Sequence, residues 1–144
     1  MSLAMSKEDR EAFLAAPRIG IVSIEEPGRG PCTVPVWYQY DPGGTVRFVT
    51  GESSRKASLL AEASRISFCV QTETPPYSYV SVEGPATLGP ADYEEHIREM
   101  AIRYLGAELG EAYLSQTHPG RTTAGSVLVT LKPKRWWTVD YGKM

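Results

Sequence analysis

A hairpin signal in the first half of the chain constrains the fold more than any other feature. From Thr33 to Tyr40, Val34, Val36, Tyr38 and Tyr40 are predicted to face one side, and the residues between them the other. This alternation is the pattern of a half-buried β-strand. The next segment, Asp41-Pro42-Gly43-Gly44, is a turn sequence, and a further strand is predicted from Thr45 to Thr50. The two strands are therefore expected to pair as an antiparallel hairpin.

Further strands are predicted on both sides of this hairpin, with few helices between them. Helices are expected from Lys7 to Ala15, directly after Thr50, and from Pro90 to Gly106, followed by a short one to about Leu114. The chain therefore predicts a mainly β (α+β) fold, an antiparallel barrel of six or seven strands with flanking helices. The remaining predicted strands are Ile19–Ile24, Arg65–Gln71, Tyr77–Leu88, Gly125–Leu131 and Trp136–Tyr141.

Length and charge limit the possible functions. A chain of 144 residues is expected to form a single domain over residues 1–144, with residues 1–4 as an expression leader. The net charge of −2 argues against a nucleic-acid or anionic-membrane binder, and no apolar run approaches the ~18 residues that span a bilayer. Cys32 and Cys69 have no CxxC spacing and His96 and His118 lie apart, so we expect no metal site. Two cysteines in unrelated contexts do not indicate a disulfide framework, so we expect a cytoplasmic protein.

The start of the helix after Thr50 carries the strongest functional signal. Ser53 or Ser54 is suited to cap the helix, and two cations, Arg55 and Lys56, follow in its first turn. Cations are disfavoured at the positive end of a helix dipole unless an anion binds there. Free N–H groups, a hydroxyl, a guanidinium and an ammonium group together suit a phosphate. The alternative is a solvated surface turn.

Aromatic pairs provide further candidates. Trp37 and Tyr38 are adjacent in a strand, so one is expected to face the core and the other a groove or a partner. Tyr77 and Tyr79 share a face that either lines a site or is half exposed. Trp136 and Trp137 point to opposite sides, so at most one of them reaches a ligand, and interface packing is expected for the other.

Three stretches resemble the pyridoxamine 5'-phosphate oxidase-like superfamily of FMN-binding split barrels. They are Val34–Tyr38, the segment Val49–Leu60 with its Ser-Arg-Lys, and Arg65–Val70 followed by Tyr79–Leu88 with its Glu-Gly. The similarity extends from Arg18 to the C-terminal tryptophans. It implies a split-barrel fold and a homodimer whose two cofactor sites lie at the subunit interface.

The resemblance also implies a function. It is that of an FMN-dependent oxidoreductase that transfers a hydride or electron pair to or from a small organic substrate, because the flavin ring performs the chemistry. No side chain is assigned as catalytic. The expected cofactor-binding residues are Val36, Trp37, Tyr38, Thr50, Ser54, Arg55, Lys56, Tyr77, Tyr79 and Trp136.

Departures from the family pattern leave alternatives open. The oxidase that makes pyridoxal phosphate has glutamine at the position of Tyr79 and an Arg-Leu-containing C-terminus, which the tail Lys132–Tyr141 lacks. Pyridoxamine phosphate is therefore not the expected substrate. Tyr79 and the short chain are similar to relatives that use coenzyme F-420, whereas Arg55 favours FMN. The alternatives are an F-420-dependent reductase and a non-enzymatic flavin-binding or storage protein.

Overall fold

Nine β-strands in two sheets form the body of the chain in the computed structural model, which describes residues 2–144. One sheet has the order β2-β1-β5-β6-β9 and the other β3-β4-β8-β7, and all paired strands are antiparallel. The predicted fold is therefore confirmed. The strands are Gly20–Ile24 (β1), Cys32–Val36 (β2), Gln39–Tyr40 (β3), Val46–Gly51 (β4), Ile66–Gln71 (β5), Ser78–Gly84 (β6), Ala86–Pro90 (β7), Ser126–Leu131 (β8) and Arg135–Asp140 (β9).

Two of the predicted strands pass from one sheet to the other, which accounts for nine strands where six or seven were expected. The predicted strand Thr33–Tyr40 divides at Trp37 and Tyr38 into β2 and β3. The predicted strand Tyr77–Leu88 divides at Pro85, which has no N–H to donate to a ladder. The preceding Gly84 has no room for a side chain, because a Cβ there would collide with the Lys132 carbonyl oxygen.

The inward faces of both sheets form one hydrophobic core. Tyr38 lies at its centre, fully buried, with its ring edge-on to Phe68 at 5.0 Å between centroids. Its hydroxyl donates to the Leu14 carbonyl at 2.7 Å, so the buried polar atom is satisfied. Burial raises the pKa of Tyr38, which keeps the phenol protonated. This contact also fixes the N-terminal helix over one end of the barrel.

Four α-helices flank the sheets. They are Lys7–Ala15 (α1), Arg55–Glu62 (α2), Glu99–Leu105 (α3) and Ala107–Thr117 (α4). Helices α3 and α4 form a hairpin through Gly106, whose φ of 84° lies in the left-handed region that favours glycine. Within residues 2–144 no helix is both long and apolar enough to cross a membrane.

The helix predicted to start at Pro90 begins later. Pro90 is the last residue of β7, opposite Val127, and Asp92 caps a π-helical turn over Tyr93–Arg98 that continues into α3. Pro90 fits there because β7 is an edge strand, where an N–H is not required. The buried face of this helical segment is formed by Ile97, Met100 and Ala101.

Candidate functional site

A pocket of about 690 Å³ lies where β2, β4 and β8 meet α2 and the α3–α4 hairpin. Its lining is apolar at one end, which we call the apolar end, and polar at the other, the polar end. The apolar end is formed by Ile19, Pro35, Val36, Trp37, Val49, Ile97, Met100 and Tyr113. The polar end is formed by Thr50, Gly51, Lys56, His118 and Ser126.

The start of α2 builds one side of the polar end. The Ser54 hydroxyl caps the helix by accepting from the Ala57 N–H at 3.1 Å, as predicted for an N-cap serine. Its oxygen also lies 3.1 Å from the Thr50 hydroxyl oxygen, so the two form a hydrogen bond. Strand β4, the turn after it and the helix start are therefore held in one arrangement beside Lys56.

The two cations of the predicted phosphate site point in different directions. Lys56 lines the pocket, and within residues 2–144 it has no salt-bridge partner. Arg55 is outside the lining, and its guanidinium forms an ion pair with Glu26. Successive residues of an α-helix lie about 100° apart around its axis, so neighbours do not share a face. Only Lys56 offers its charge to the pocket directly.

Trp37 forms the main wall of the apolar end. Its ring stacks on Tyr104 at 5.3 Å with an interplanar angle of 4°, and lies 5.4 Å from the Tyr113 ring. The Tyr104 hydroxyl donates to the Arg18 carbonyl at 2.7 Å and accepts from the Tyr38 N–H at 3.2 Å. Burial raises the pKa of Tyr104, so this donor stays protonated. The Trp37 ring therefore packs against Tyr104, whose position is fixed by hydrogen bonds of its hydroxyl group.

Other predicted cofactor-binding residues lie outside this pocket in the single chain. Tyr38 is in the barrel core, as described above. Trp136 packs against the same core, with its ring edge-on to Tyr40 and beneath the guanidinium of Arg10 at 4.4 Å. Of the ten predicted residues, the structure brings four together in the pocket lining: Val36, Trp37, Thr50 and Lys56.

Tyr77 and Tyr79 lie on the outer face of the five-stranded sheet and are 53% and 37% exposed. A row of paired residues crosses the same face, because Ile21 pairs with Cys69, Cys69 with Ser81, and Ser81 with Trp137. All of them except Ser81 are apolar. Pro35 extends this row to β2 and also lines the pocket. The exposed face and the pocket are therefore continuous on the surface. We call Pro35, Ile21, Cys69, Ser81 and Trp137 the outer row.

Several pocket residues were not predicted from the sequence. Met100, Tyr113 and His118 come from the α3–α4 hairpin and its end, which carries no sequence motif. Ser126 lies opposite Gly51 in the β4–β8 ladder, a pairing that only the folded sheet reveals. The apolar periodicity of the hairpin indicates a buried face but not that this face borders a pocket.

His118 at the end of α4 has a defined hydrogen-bond environment. Its Nδ1 lies 2.9 Å from the Thr117 hydroxyl oxygen, and its Nε2 lies 3.3 Å from the Ser126 hydroxyl oxygen. Burial lowers the pKa of His118 below its usual 6.5, so the imidazole is neutral at pH 7. Within residues 2–144 no group of histidine, cysteine, aspartate or glutamate side chains could hold a metal ion.

Comparison with known proteins gives a consistent family and fold. The sequence pattern of the family described as pyridoxamine 5'-phosphate oxidase matches residues 6–140. A conserved hypothetical protein from Mycobacterium tuberculosis has a TM-score of 0.76 at 22% identity, over 99% of this chain and 89% of that one. An F420 reductase has a TM-score of 0.72 at 21% identity, over 88% and 94% of the two chains.

A putative pyridoxamine 5'-phosphate oxidase from Listeria innocua has a TM-score of 0.68 at 14% identity, over 92% of this chain and 96% of that one. No curated protein matches the sequence significantly. At these identities the structural similarities establish the fold alone.

Proposed function

The chain belongs to the pyridoxamine 5'-phosphate oxidase family, and on that premise we propose that it is an FMN-dependent oxidoreductase acting on a small organic molecule. The observation that carries the proposal is the division of the pocket into a polar and an apolar end. FMN has the same division, with a dianionic phosphate at one end and a flat aromatic ring system at the other. The pocket volume of about 690 Å³ is within the range of small-ligand sites, about 300–1,000 Å³.

The donor set of the polar end suits a phosphate group. Lys56 supplies a cation, and the hydroxyls of Thr50 and Ser126 supply neutral hydrogen bonds. The first N–H groups of α2 add a positive dipole end. A hydrogen bond from an ammonium group to a phosphate oxygen is about twice as strong as a neutral one. Lys56 is therefore the residue on which we expect binding of the phosphate to depend most.

The apolar end suits a planar ring. Trp37 is held in a fixed orientation by Tyr104, and the side chains of Met100 and Tyr113 face the same space. The bound ring would supply the redox chemistry, and the protein would orient it and exclude water. The backbone from Val36 to Tyr38 borders this end and is the proposed contact for the polar edge of the ring.

A homodimer is part of the proposal, supported by the outer row. Trp137 is 51% exposed and Ile21 is 38% exposed on one face of the sheet, next to Tyr77 and Tyr79. Several exposed large apolar side chains on one sheet face are typical of protein interfaces. Because Pro35 belongs to both the row and the pocket lining, a second copy on this face would also cover the pocket. Tyr77 and Tyr79 are the proposed contributions to the partner's site.

An F-420-dependent reductase is the second candidate. The observation that favours it is the ion pair of Arg55 with Glu26, which leaves Lys56 as the cation in the pocket lining. Arg55 is the residue that favours FMN in the sequence, whereas Tyr79 is similar to relatives that use the deazaflavin, so an Arg55 that is engaged by Glu26 favours the second candidate. A non-enzymatic flavin carrier is distinguished from both by the space beside the ring, since catalysis requires room for a substrate there.

A spectrum and three titrations test the proposal. The purified protein is expected to show flavin absorption, and the stripped protein to bind FMN at least tenfold more tightly than F-420. Riboflavin, which lacks the phosphate, is expected to bind the same site at least tenfold more weakly than FMN. Tighter binding of F-420 would select the second candidate, and no binding of either coenzyme would refute both. Rapid reoxidation or reduction by added substrates, measured at the flavin absorption band, separates an enzyme from a carrier.

A further inference from the structure

His118 is placed at the same end of the pocket as the proposed phosphate contacts. Strand pairing sets Ser126 opposite Gly51, and the Glu52 N–H donates to the Gly125 carbonyl at 2.8 Å. The turn before β8 is thereby fixed against the turn that leads into α2. His118 reaches this junction through Ser126 and lines the pocket together with Thr50 and Lys56.

The hydrogen bonds of His118 define its tautomer. The Thr117 hydroxyl donates to the Tyr113 carbonyl at 2.9 Å, so its proton is already used. Its oxygen must then accept from His118 Nδ1, which therefore carries the proton of the neutral ring. The Nε2 atom is left with a free lone pair, directed at the Ser126 hydroxyl on the pocket side. A second proton can be taken up only at Nε2.

We infer that His118 is a further anion-binding side chain of this pocket, which takes up a proton at Nε2 and holds the phosphate of the ligand together with Lys56. This inference rests on the proposed binding of a phosphate-bearing cofactor. When Nε2 is protonated it becomes a donor, and the Ser126 hydroxyl no longer needs to donate to the imidazole. The Nε2–H then donates to the Ser126 oxygen, the Ser126 hydroxyl proton is free to donate to a phosphate oxygen, and the imidazolium charge attracts the same anion.

The other charged groups around His118 do not supply an alternative partner. The titratable and charged residues that line the pocket with it are Lys56 and Tyr113, and the turns beside it carry Glu52 and Arg121. The helical elements packed against α4 carry Glu94, Glu95, His96, Arg98, Glu99 and Arg103, and α4 itself carries Glu108 and Glu111. Glu94 forms ion pairs with Arg98 and Arg121 at the exposed surface. Within residues 2–144, no ion pair joins a carboxylate to the His118 imidazole. A dianionic ligand would therefore be the main source of stabilisation for the imidazolium.

The sign of the effect follows from linkage. In the free protein the pKa of His118 is lowered, so the ring is neutral at pH 7. A bound dianion favours the charged ring and raises that pKa, and binding therefore takes up a proton. A rise of about one pKa unit corresponds to about tenfold tighter binding at low pH than at high pH. The phosphate of FMN loses its last proton in the same pH range. Its contribution must be subtracted from the measured pH dependence of binding.

Two measurements test the inference. In the first, NMR follows the imidazole signals from pH 5 to 8 in chloride, in sodium sulfate at equal ionic strength, and with FMN or riboflavin. The chain has two histidines, so His118→Gln assigns both signals. The pKa of His118 is expected to rise by about one unit with FMN and by less with sulfate, and to stay unchanged with riboflavin. His96, outside the pocket lining, is expected not to respond.

In the second measurement, FMN affinity is compared between the unmodified protein, His118→Gln and the matched control His96→Gln. The affinity ratio of the unmodified protein to His118→Gln is expected to be near one at pH 8 and to rise about tenfold by pH 5. The titration of FMN itself cancels in this ratio, because both proteins bind the same ligand.

A ratio that does not change with pH, or a His118 pKa that FMN binding leaves unchanged, overturns the inference while the proposed function stands. If FMN does not bind but sulfate raises the pKa, the proposed function fails and the anion-binding role of His118 stands. If neither FMN nor sulfate raises it, the inference fails.

Discussion

Glu26 holds the guanidinium of Arg55 in an ion pair at the entrance to α2, although the next residue, Lys56, lines the pocket. The Glu26 side chain is only 15% exposed, and the Arg55 side chain is 55% exposed. One of the two cations expected to bind phosphate is thus neutralised by a carboxylate of its own chain. Four predictions concern this region, the pocket and the outer row.

The first prediction is that Glu26→Gln strengthens FMN binding. The substitution removes a negative charge near the polar end and frees Arg55 to bind the phosphate. Because exposed ion pairs contribute little to stability, the expected effect is small, about a two- to fivefold lower Kd for FMN, measured by fluorescence titration. Glu25→Gln makes the same change in charge at an exposed neighbour and is expected to have little effect. Equal effects of the two substitutions would show that Arg55 is not a hidden phosphate ligand.

The second prediction is that Lys56→Ala weakens FMN binding by about tenfold or more, because a hydrogen bond to a charged group contributes about 1.5–3 kcal/mol. Riboflavin affinity is expected to remain unchanged, since riboflavin has no phosphate. Lys7→Ala, which removes an exposed cation from α1, is the matched control. An unaltered FMN dissociation constant in Lys56→Ala would place the anion elsewhere.

The third prediction concerns the cap of α2. Ser54→Ala removes the acceptor for the Ala57 N–H and the partner of the Thr50 hydroxyl, and is expected to lower the free energy of unfolding by about 1 kcal/mol. It is also expected to weaken FMN binding several-fold. Ser58→Ala, on the exposed face of the same helix, should change neither quantity. Urea unfolding gives the first quantity and titration the second. A stable, fully binding Ser54→Ala would refute both roles.

The fourth prediction is that Trp137→Lys prevents dimer formation. A charged side chain at the β9 end of the outer row would be costly to bury against a second copy. Sedimentation is expected to show a monomer with weakened FMN affinity, because the partner no longer covers the pocket. Leu88→Lys, at an exposed apolar residue of the other sheet, is the control. If the unmodified protein is itself monomeric, or if Trp137→Lys remains a dimer, the proposed interface is wrong.

The local pattern of the sequence was sufficient to predict most of the elements. Asp41-Pro42-Gly43-Gly44 does close the predicted hairpin, with the Gly44 N–H donating to the Asp41 carbonyl at 2.8 Å. Ser54 caps α2 and Gly106 ends α3, as their residue types indicate. These features depend on interactions between residues at most a few positions apart, which are visible in the sequence itself.

Sequence pattern alone did not locate the points where strands change sheets. The alternation in the sequence continues through Trp37 and Tyr38, although these two residues connect β2 of one sheet to β3 of the other. The late start of the helix after Pro90 has a similar cause. Whether a proline begins a helix or ends an edge strand depends on the neighbouring strand, here β8.

The sequence by itself determined the antiparallel β fold, the family and the basic start of α2. Only the tertiary structure decided that Lys56 lines the pocket while Arg55 pairs with Glu26, and that His118 meets Ser126 beside them. The reason is physical: a helix turns adjacent side chains about 100° apart, and the β4–β8 ladder brings together residues that are far apart along the chain.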